Sequence, residues 1–327
     1  MELSRAKGTR DFLPEEKIVR NQVIEILQKS FEKYGFNPLE TPVLERLDVL
    51  SAKYAGGAEI LKETFKLKDQ GDRDLALRYD LTVPFARVIA MNKGLRMPFK
   101  RYAIDRSFRD GPLKLGRYRE FWQCDADVVG CKSYVAEVEL LNIVKDVFKK
   151  LNVEVVLKIN DRRVIEGIVS NFNVPKEKII AVMLAIDKLD KIGAEEVKKE
   201  LQDFAGVPKK CCDEIIEAVM YKGSNQEKIN YYTDMLGNNE GLVNLKKIFD
   251  EVDDLEFTPF LARGFAYYTG TIYEFFLMDT KAYGITSSVG SGGRYDKMIG
   301  DFIDDGQEYP AVGISFGLDV ISDILKI

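Results

Sequence analysis

The sequence contains no histidine. That excludes a Ser-His-Asp or Cys-His nucleophile, a histidine-ligated zinc and any histidine general base supplied by this chain. Its chemistry must run on arginine, carboxylate and backbone groups. Cysteine is scarce. The four present, Cys124, Cys131, Cys211 and Cys212, show no metal-ligand spacing and read as reduced thiols, with no metal expected. The Cys211–Cys212 pair suits half-buried helix positions. No apolar run approaches the roughly 18 residues of a membrane span. The stretch MELSRAKGTRDFLPEE lacks the apolar h-region of a secretory signal, so the expected location is the cytoplasm, away from membrane. Internal repeats and low-complexity tracts are also lacking.

What is present describes an ordinary globular chain, 46% apolar and 31% charged over 327 residues, enough for one large domain or a core plus a smaller one. The net charge of −5 argues against bulk nucleic-acid binding, although a local basic groove would survive that average.

The most informative stretch is FRDGPLKLGRYREFWQCDADVVG, Phe108 to Gly130. It reads as two strands around a basic, glycine-containing loop. Alternation puts Arg119, Gln123 and Asp127 on one side of the second strand and Trp122, Cys124, Ala126 and Val128 on the other. A half-buried antiparallel hairpin would present Arg109, Arg119, Gln123 and Asp127 on one surface, a natural binding floor.

Before it, Val23, Ile24, Leu27, Phe31 and Tyr34 predict an amphipathic helix, with Pro14, Glu15 and Glu16 in its first turn and Gly35 at its stop. Arg10 and the prolines of GFNPLETPVLE read equally as packing of that helix and a stiffened strand, or as part of a site. LALRYDLTVPFAR reads as a strand ending at a polar edge and then a helix with Thr82 as N-cap. Asp80 and Thr82 fall at that junction, where they could hold a ligand or simply cap the helix. A helix is predicted over Val135–Leu151, then a strand, VEVVLKIN. From Arg162 to about Val252 five helical patterns follow, with no chemical constellation among them. Strands resume with LARGFAYYTGTIYEFFL, ITSSVGSGGRYDKMIG and YPAVGISFGLDVISDIL. The expected domains are therefore a catalytic core, 1–161 and 253–327, and a helical insertion, 162–252. The pattern predicts an α+β fold with a mostly antiparallel sheet.

Arg109 and Arg263 precede small or turn-forming residues, so their guanidinium groups could reach a phosphate or carboxylate. Asp80 and Asp127 supply negative charge for a cationic or hydrogen-bonding ligand. YYTG and SGGRYD combine aromatic walls with glycines that allow close backbone approach, although turns and bulges use the same glycines.

Taken together and in order, KGTRDFLPEE, TPVLE, LALRYDLTVPFAR, the hairpin, LARGFAYYTGTIYE, SGGRYD and AVGISFGLD resemble the class II histidyl-tRNA synthetase family across nearly the whole chain. The resemblance implies a six-stranded antiparallel catalytic sheet flanked by helices, a helical insertion, and a homodimer built around TPVLE. It implies activation of histidine by ATP, accompanied by Mg²⁺ and with no tightly bound cofactor, followed by transfer to tRNA(His). Carried over by motif, Arg109 and Arg263 become the catalytic residues at the α-phosphate, and Arg109, Arg117 and Arg119 the ATP-binding set. Asp80, Thr82 and Gln123 take the substrate ammonium. Asp127 and Tyr268, with Tyr267 alongside, read the imidazole, and Gly292 and Gly293 line its pocket.

Two departures bear on this. The third class II motif ends in an arginine that packs on ATP, and Val320 occupies the aligned position. The sequence also stops at Ile327, where the family continues into an anticodon-binding domain of roughly a hundred residues, an ordinary domain size. Both features also suit a non-catalytic paralogue, the regulatory subunit of ATP phosphoribosyltransferase, which senses histidine for its catalytic partner subunit. Ala266, where many members carry a polar residue, is a smaller difference.

Overall fold

The computed structural model describes residues 3–52, 58–113, 116–203, 207–262 and 267–326. The chain divides into two compact units, Met1–Val155 with Phe275–Ile327, and Val156–Glu274. The stretch 162–252, read as a helical insertion, lies within the second. The strands are β1 (Asn37–Pro38), β2 (Leu44–Arg46), β3 (Lys66–Lys68), β4 (Asp74–Leu77), β5 (Phe99–Phe108), β6 (Glu120–Val129), β7 (Val155–Asp161), β8 (Leu255–Phe257), β9 (Thr271–Leu277), β10 (Gly290–Arg294) and β11 (Ala311–Gly317).

In the first unit the strand order is β1-β5-β6-β11-β10. β5–β6, β6–β11 and β10–β11 pair antiparallel, while β1 joins β5 in parallel. β2, β4 and β3 form a separate antiparallel sheet. The second unit holds the parallel pair β7–β8. The fold is thus α+β and mostly antiparallel, as expected, and only the strand count differs slightly from six. β1 and β8 are two or three residues long, too short to show an alternating pattern in sequence, and each pairs in parallel.

Two long helices cover the apolar face of the first unit's sheet. Pro14–Lys33 begins with proline in its first turn, carries Glu15 and Glu16 there, and buries Val23, Leu27 and Phe31. Val135–Leu151 buries Leu140, Leu141, Val144, Val147 and Phe148. Phe31, Phe148 and Phe275 meet Phe316 of β11 at centroid distances of 6.0, 5.9 and 6.0 Å. Cys124 and Ala126 of β6 are fully buried in the same unit. This apolar layer frees the opposite face of the sheet for polar residues.

The second unit is mainly helical, with Arg162–Asn171, Lys176–Ile186, Leu189–Ile192, Ala194–Asp203, Lys209–Val219, Asn225–Leu236 and Glu240–Phe249. Cys212 is buried and Cys211 partly buried on the Lys209–Val219 helix. The LARGFAYYTGTIYEFFL segment is strand only over Thr271–Leu277. No described helix is long and apolar enough to cross a membrane.

Arg10 belongs to an ionic knot that ties the N-terminal segment to the last helix, Leu318–Ile324. Asp319 Oδ1 accepts from Arg10 Nη2 (2.9 Å) and from the buried Arg20 Nη1 (2.8 Å). Its Oδ2 accepts from the Trp122 amide (2.7 Å). Arg10 also bonds Asp323 and lies 3.8 Å over the Tyr118 ring. Removing one partner of a buried ion pair strands the other charge, so Asp319→Ala is expected to cost about 3–5 kcal/mol. Urea denaturation measures it, and a loss below about 1 kcal/mol, the scale of an exposed ion pair, would make the knot a surface ornament.

Candidate functional site

The site floor is built on β6 and its two neighbours. Pairing sets Asp127 opposite Arg101 of β5 and Gly313 of β11, Asp125 opposite Ala103 and Ser315, and Gln123 opposite Asp105 and Gly317. Directly paired residues share a face, so Gln123, Asp125 and Asp127 form one row with Arg101 beside it. This face is not the half-exposed surface that alternation suggests. Asp125, Asp127 and Arg101 are only 1–2% exposed.

Asp127 has one oxygen in a hydrogen bond and the other in an ion pair that lacks hydrogen-bond geometry. Its Oδ2 lies 2.7 Å from Arg101 Nη2, and its Oδ1 accepts from Tyr295 Oη (2.6 Å). A β-carbon on Gly313 would collide with Asp127 Oδ1, so only glycine lets the carboxylate lie across β11. Arg101 also donates to the Leu81 carbonyl (3.0 Å) and stacks 4.4 Å over Phe85. Burial pushes the Asp127 carboxyl above the usual range, with the Arg101 charge and the Tyr295 hydroxyl acting against that rise. Asp125 is also pushed well up, mainly by burial, with Arg101 opposing and the Asp127 charge reinforcing the shift. Its Oδ1 has no hydrogen-bond partner. Gln123 donates to Ser315 Oγ (3.1 Å), and its Oε1 is likewise unpartnered.

Asp80 lies between β4 and the helix Thr82–Met91. The expected N-cap, Thr82, is instead the first helical residue, and the cap position, Leu81, offers no side-chain bond. Asp80 supplies the oxygen: the Val83 amide donates to its Oδ1 (3.0 Å). Asp80 Oδ2 is buried with no partner. Burial raises the Asp80 carboxyl to about 6, opposed first by the Val83 amide and then by the charges of Arg109 and Arg101.

Arg109 and Arg119 flank the open end of the hairpin, where the Arg109 amide donates to the Arg119 carbonyl (2.9 Å). Arg109 Nε bonds the Tyr79 carbonyl (3.0 Å), and its guanidinium lies 5.0 Å over Phe121. Arg119 pairs with Asp110 (2.9 Å) and Arg117 with Glu63 (3.1 Å). Gly8 (φ +85°) packs against Arg119 so closely that a β-carbon there would meet its Cγ at 2.7 Å. Val320 is buried, and its Cγ2 would lie 3.4 Å from a β-carbon on Gly116 of the same loop.

The structure therefore brings Asp80, Gln123, Asp127, Arg109 and Arg119 into one unit, with Thr82 and Arg117 nearby in sequence on the elements just named. Gly293 pairs with Gly313 and shares the polar face, whereas Gly292 pairs with Ile314 and lies on the apolar side. Tyr267 and Tyr268 belong to the second unit, where Tyr268 packs in a cluster with Leu261 and Ile272. Arg263 and Ala266 lie outside the described residues. Sequence reasoning passed over Arg101, Asp125, Ser315 and Tyr295. Asp125 was legible, since it shares the period-two row of Gln123 and Asp127. Tyr295 stands within SGGRYD. Arg101 and Ser315 emerge only from strand register.

The Histidyl-tRNA synthetase family profile matches residues 8–321. A curated relative, histidine–tRNA ligase 1 of Bacillus cereus (strain ATCC 10987 / NRS 248), is 46% identical over 346 aligned residues, covering 100% of this chain and 76% of that protein. The crystal structure of histidyl-tRNA synthetase from Nostoc sp. PCC 7120 matches with a TM-score of 0.84 at 34% identity, over 100% of this chain and 76% of that one. A structure described as an ATP phosphoribosyltransferase regulatory subunit/histidyl-tRNA synthetase, from Bacillus halodurans C, matches with a TM-score of 0.84 over 99% of this chain and 84% of that one, at 18% identity that speaks for the fold alone. The architecture is that of a class II aminoacyl-tRNA synthetase. Within that class, the chain belongs to the histidyl-tRNA synthetase family.

The Asp80 shift carries a signed consequence. Its carboxyl ionises near 3.8 ordinarily and near 6 when folded, so the folded protein holds the proton over that interval. The stability it contributes is complete below the ordinary value and is lost as pH rises through about 6. Asp80→Asn retains an oxygen for the Val83 amide and should flatten the decline between pH 4 and 6 by up to about 3 kcal/mol. Urea melts across that range test it; parallel profiles for the two proteins would refute it.

Proposed function

We propose that this chain activates histidine. The substrate carboxylate attacks the α-phosphate of ATP, histidyl-adenylate forms, pyrophosphate leaves, and the histidyl group passes to the terminal ribose of tRNA(His). The observation that carries the reading is Asp80, a buried carboxylate fixed at a helix start with Oδ2 unpartnered. It suits an ammonium, with Gln123 Oε1 offering a second open acceptor. The 46% identity to a protein named histidine–tRNA ligase supports it independently.

In this reading Arg109 meets the α-phosphate, its guanidinium already set by the Tyr79 carbonyl and Phe121. Arg117 and Arg119 exchange Glu63 and Asp110 for the nucleotide, and Mg²⁺ arrives with the triphosphate. Arg263 completes the charge around the α-phosphate. In-line attack by a carboxylate asks for positioning and positive charge, which a chain without histidine can supply. Thr82 joins Asp80 and Gln123 at the ammonium, and Gly293 with Asp127 borders the ring. A homodimer through the TPVLE segment belongs to the same reading.

One observation favours a second reading, a histidine-sensing regulatory subunit partnered with ATP phosphoribosyltransferase. Val320 stands where the family's third motif carries an arginine, and it packs toward Gly116 as an apolar contact.

Histidine-dependent ATP–pyrophosphate exchange separates the two. Exchange is expected from the wild type, reduced about 10²–10³-fold by Arg109→Ala and comparably by Arg263→Ala. Histidine binding without exchange at saturating ATP would select the regulatory reading.

A further inference from the structure

We propose that Arg101 is a positioning residue for histidine recognition: it aims the Asp127 carboxylate and braces the turn that carries Asp80 and Thr82. One rigid frame then reads both the ring and the ammonium. This rests on the reading of the site as a histidine site with Asp127 at the ring, and adds the group that keeps its two ends in register. Arg101 is 1% exposed, and a buried guanidinium is costly unless it is matched. Arg294, nearly as buried, is matched on all three nitrogens, with Nε and Nη2 each 2.7 Å from Glu137 and Nη1 on the Cys131 carbonyl (3.1 Å). Arg101 is matched differently. Its Nε and Nη1 have no hydrogen-bond partner, and Nη2 alone makes its polar contacts. Packing gives no reason for such an arginine, whereas the acids around it do.

The contacts of that nitrogen span the site. It donates to the Leu81 carbonyl at 3.0 Å and lies 2.7 Å from Asp127 Oδ2. Leu81 stands between Asp80 and Thr82, at the cap position of the helix Thr82–Met91. The flat guanidinium lies 4.4 Å over the Phe85 ring in that helix, and Phe85 stacks on Phe99 at 6.3 Å. Phe99 and Arg101 are two residues apart on β5, so they share a face and together seat the helix start against the strand. From the other side Tyr295 fixes Asp127 Oδ1 at 2.6 Å. Asp127 Oδ2 has no hydrogen bond of its own, so it remains open to the ring N–H of the substrate beside a cation that steadies its charge. The titratable groups facing Arg101 are Asp125 and Asp127 on β6, Asp80 before the helix and Tyr295 after β10, while Arg109 adds its charge on the Asp80 side. For each of the three acids the Arg101 charge opposes protonation. Lysine would supply the charge as a point, with no plane to lie on Phe85.

Equilibrium binding to the full chain tests this, with L-histidine and ATP–Mg²⁺ as separate probes. Arg101→Lys keeps the charge, Arg101→Met removes it, and Phe85→Leu leaves the arginine but takes away the ring it lies on. The two arginine variants are expected to weaken L-histidine by about ten- to a hundredfold and Phe85→Leu by less, with ATP affinity kept within about twofold. The pH profile separates positioning from general support. As pH falls the acids take up protons and lose their hold on the ammonium and the ring N–H. Arg101→Met lacks the cation that opposes this, so its affinity relative to wild type is expected to fall at higher pH, while Arg101→Lys keeps the wild-type profile. A purely structural role would lower the melting temperature and leave the affinity of the folded fraction and its pH profile unmoved, and that result would overturn the proposal. Equal weakening of histidine and ATP would overturn it too. If neither arginine variant folds, Phe85→Leu decides, and unchanged histidine affinity there ends the proposal. A wild type that binds no histidine would bring down the underlying reading and this inference with it.

Discussion

The site depends on one buried guanidinium. Arg101 is 1% exposed, sits opposite Asp127 across the β5–β6 ladder, caps the Leu81 carbonyl and stacks on Phe85. Its charge opposes the rise in the carboxyl of Asp80, Asp125 and Asp127 alike. With the arginine removed, Asp125 and Asp127 would lose the cation that opposes their rise, and Asp80 would keep only that of Arg109. With it present, Asp127 has an ion pair, while all three acids keep a buried oxygen without a hydrogen-bond partner. The floor is therefore acidic, dry and incompletely satisfied, which suits a cationic or N–H-bearing ligand.

The arginine-bearing end of the hairpin has a different character. Arg117 and Arg119 are paired with Glu63 and Asp110 on partly exposed side chains, where ion pairs are weak and exchangeable. Behind them the Asp319 knot is buried and joins the N-terminal segment, the Trp122 amide and the last helix. Arg117 and Arg119 are thus held by exchangeable pairs close to a buried, anchored knot. Val320, one residue past Asp319, faces the hairpin loop through Gly116.

Local rules made much of the architecture legible. Proline at the first turn, acids after it and apolar residues at helical spacing define Pro14–Lys33, and the Val135–Leu151 helix was readable end to end. The hairpin's alternation gave the right pair of strands and the right partners for a polar row, including Asp125 for a reader who counted by twos. The cap at Thr82 was misplaced because Asp80, two residues earlier, reaches forward to accept from the Val83 amide in the first turn.

Sequence by itself determined the chemistry available, a histidine-free set of arginines and carboxylates, together with the motif order that identifies the family. These are local or composition-level properties, written in residue types and short spacings. Tertiary structure decided which carboxylate is ion-paired to Arg101. That depends on strand register: a shift of one residue would exchange the two faces of β6 and part Asp127 from Arg101. It also decided that the floor is buried, since burial of both faces of β6 follows from what packs on the sheet and not from the alternation of the strand itself.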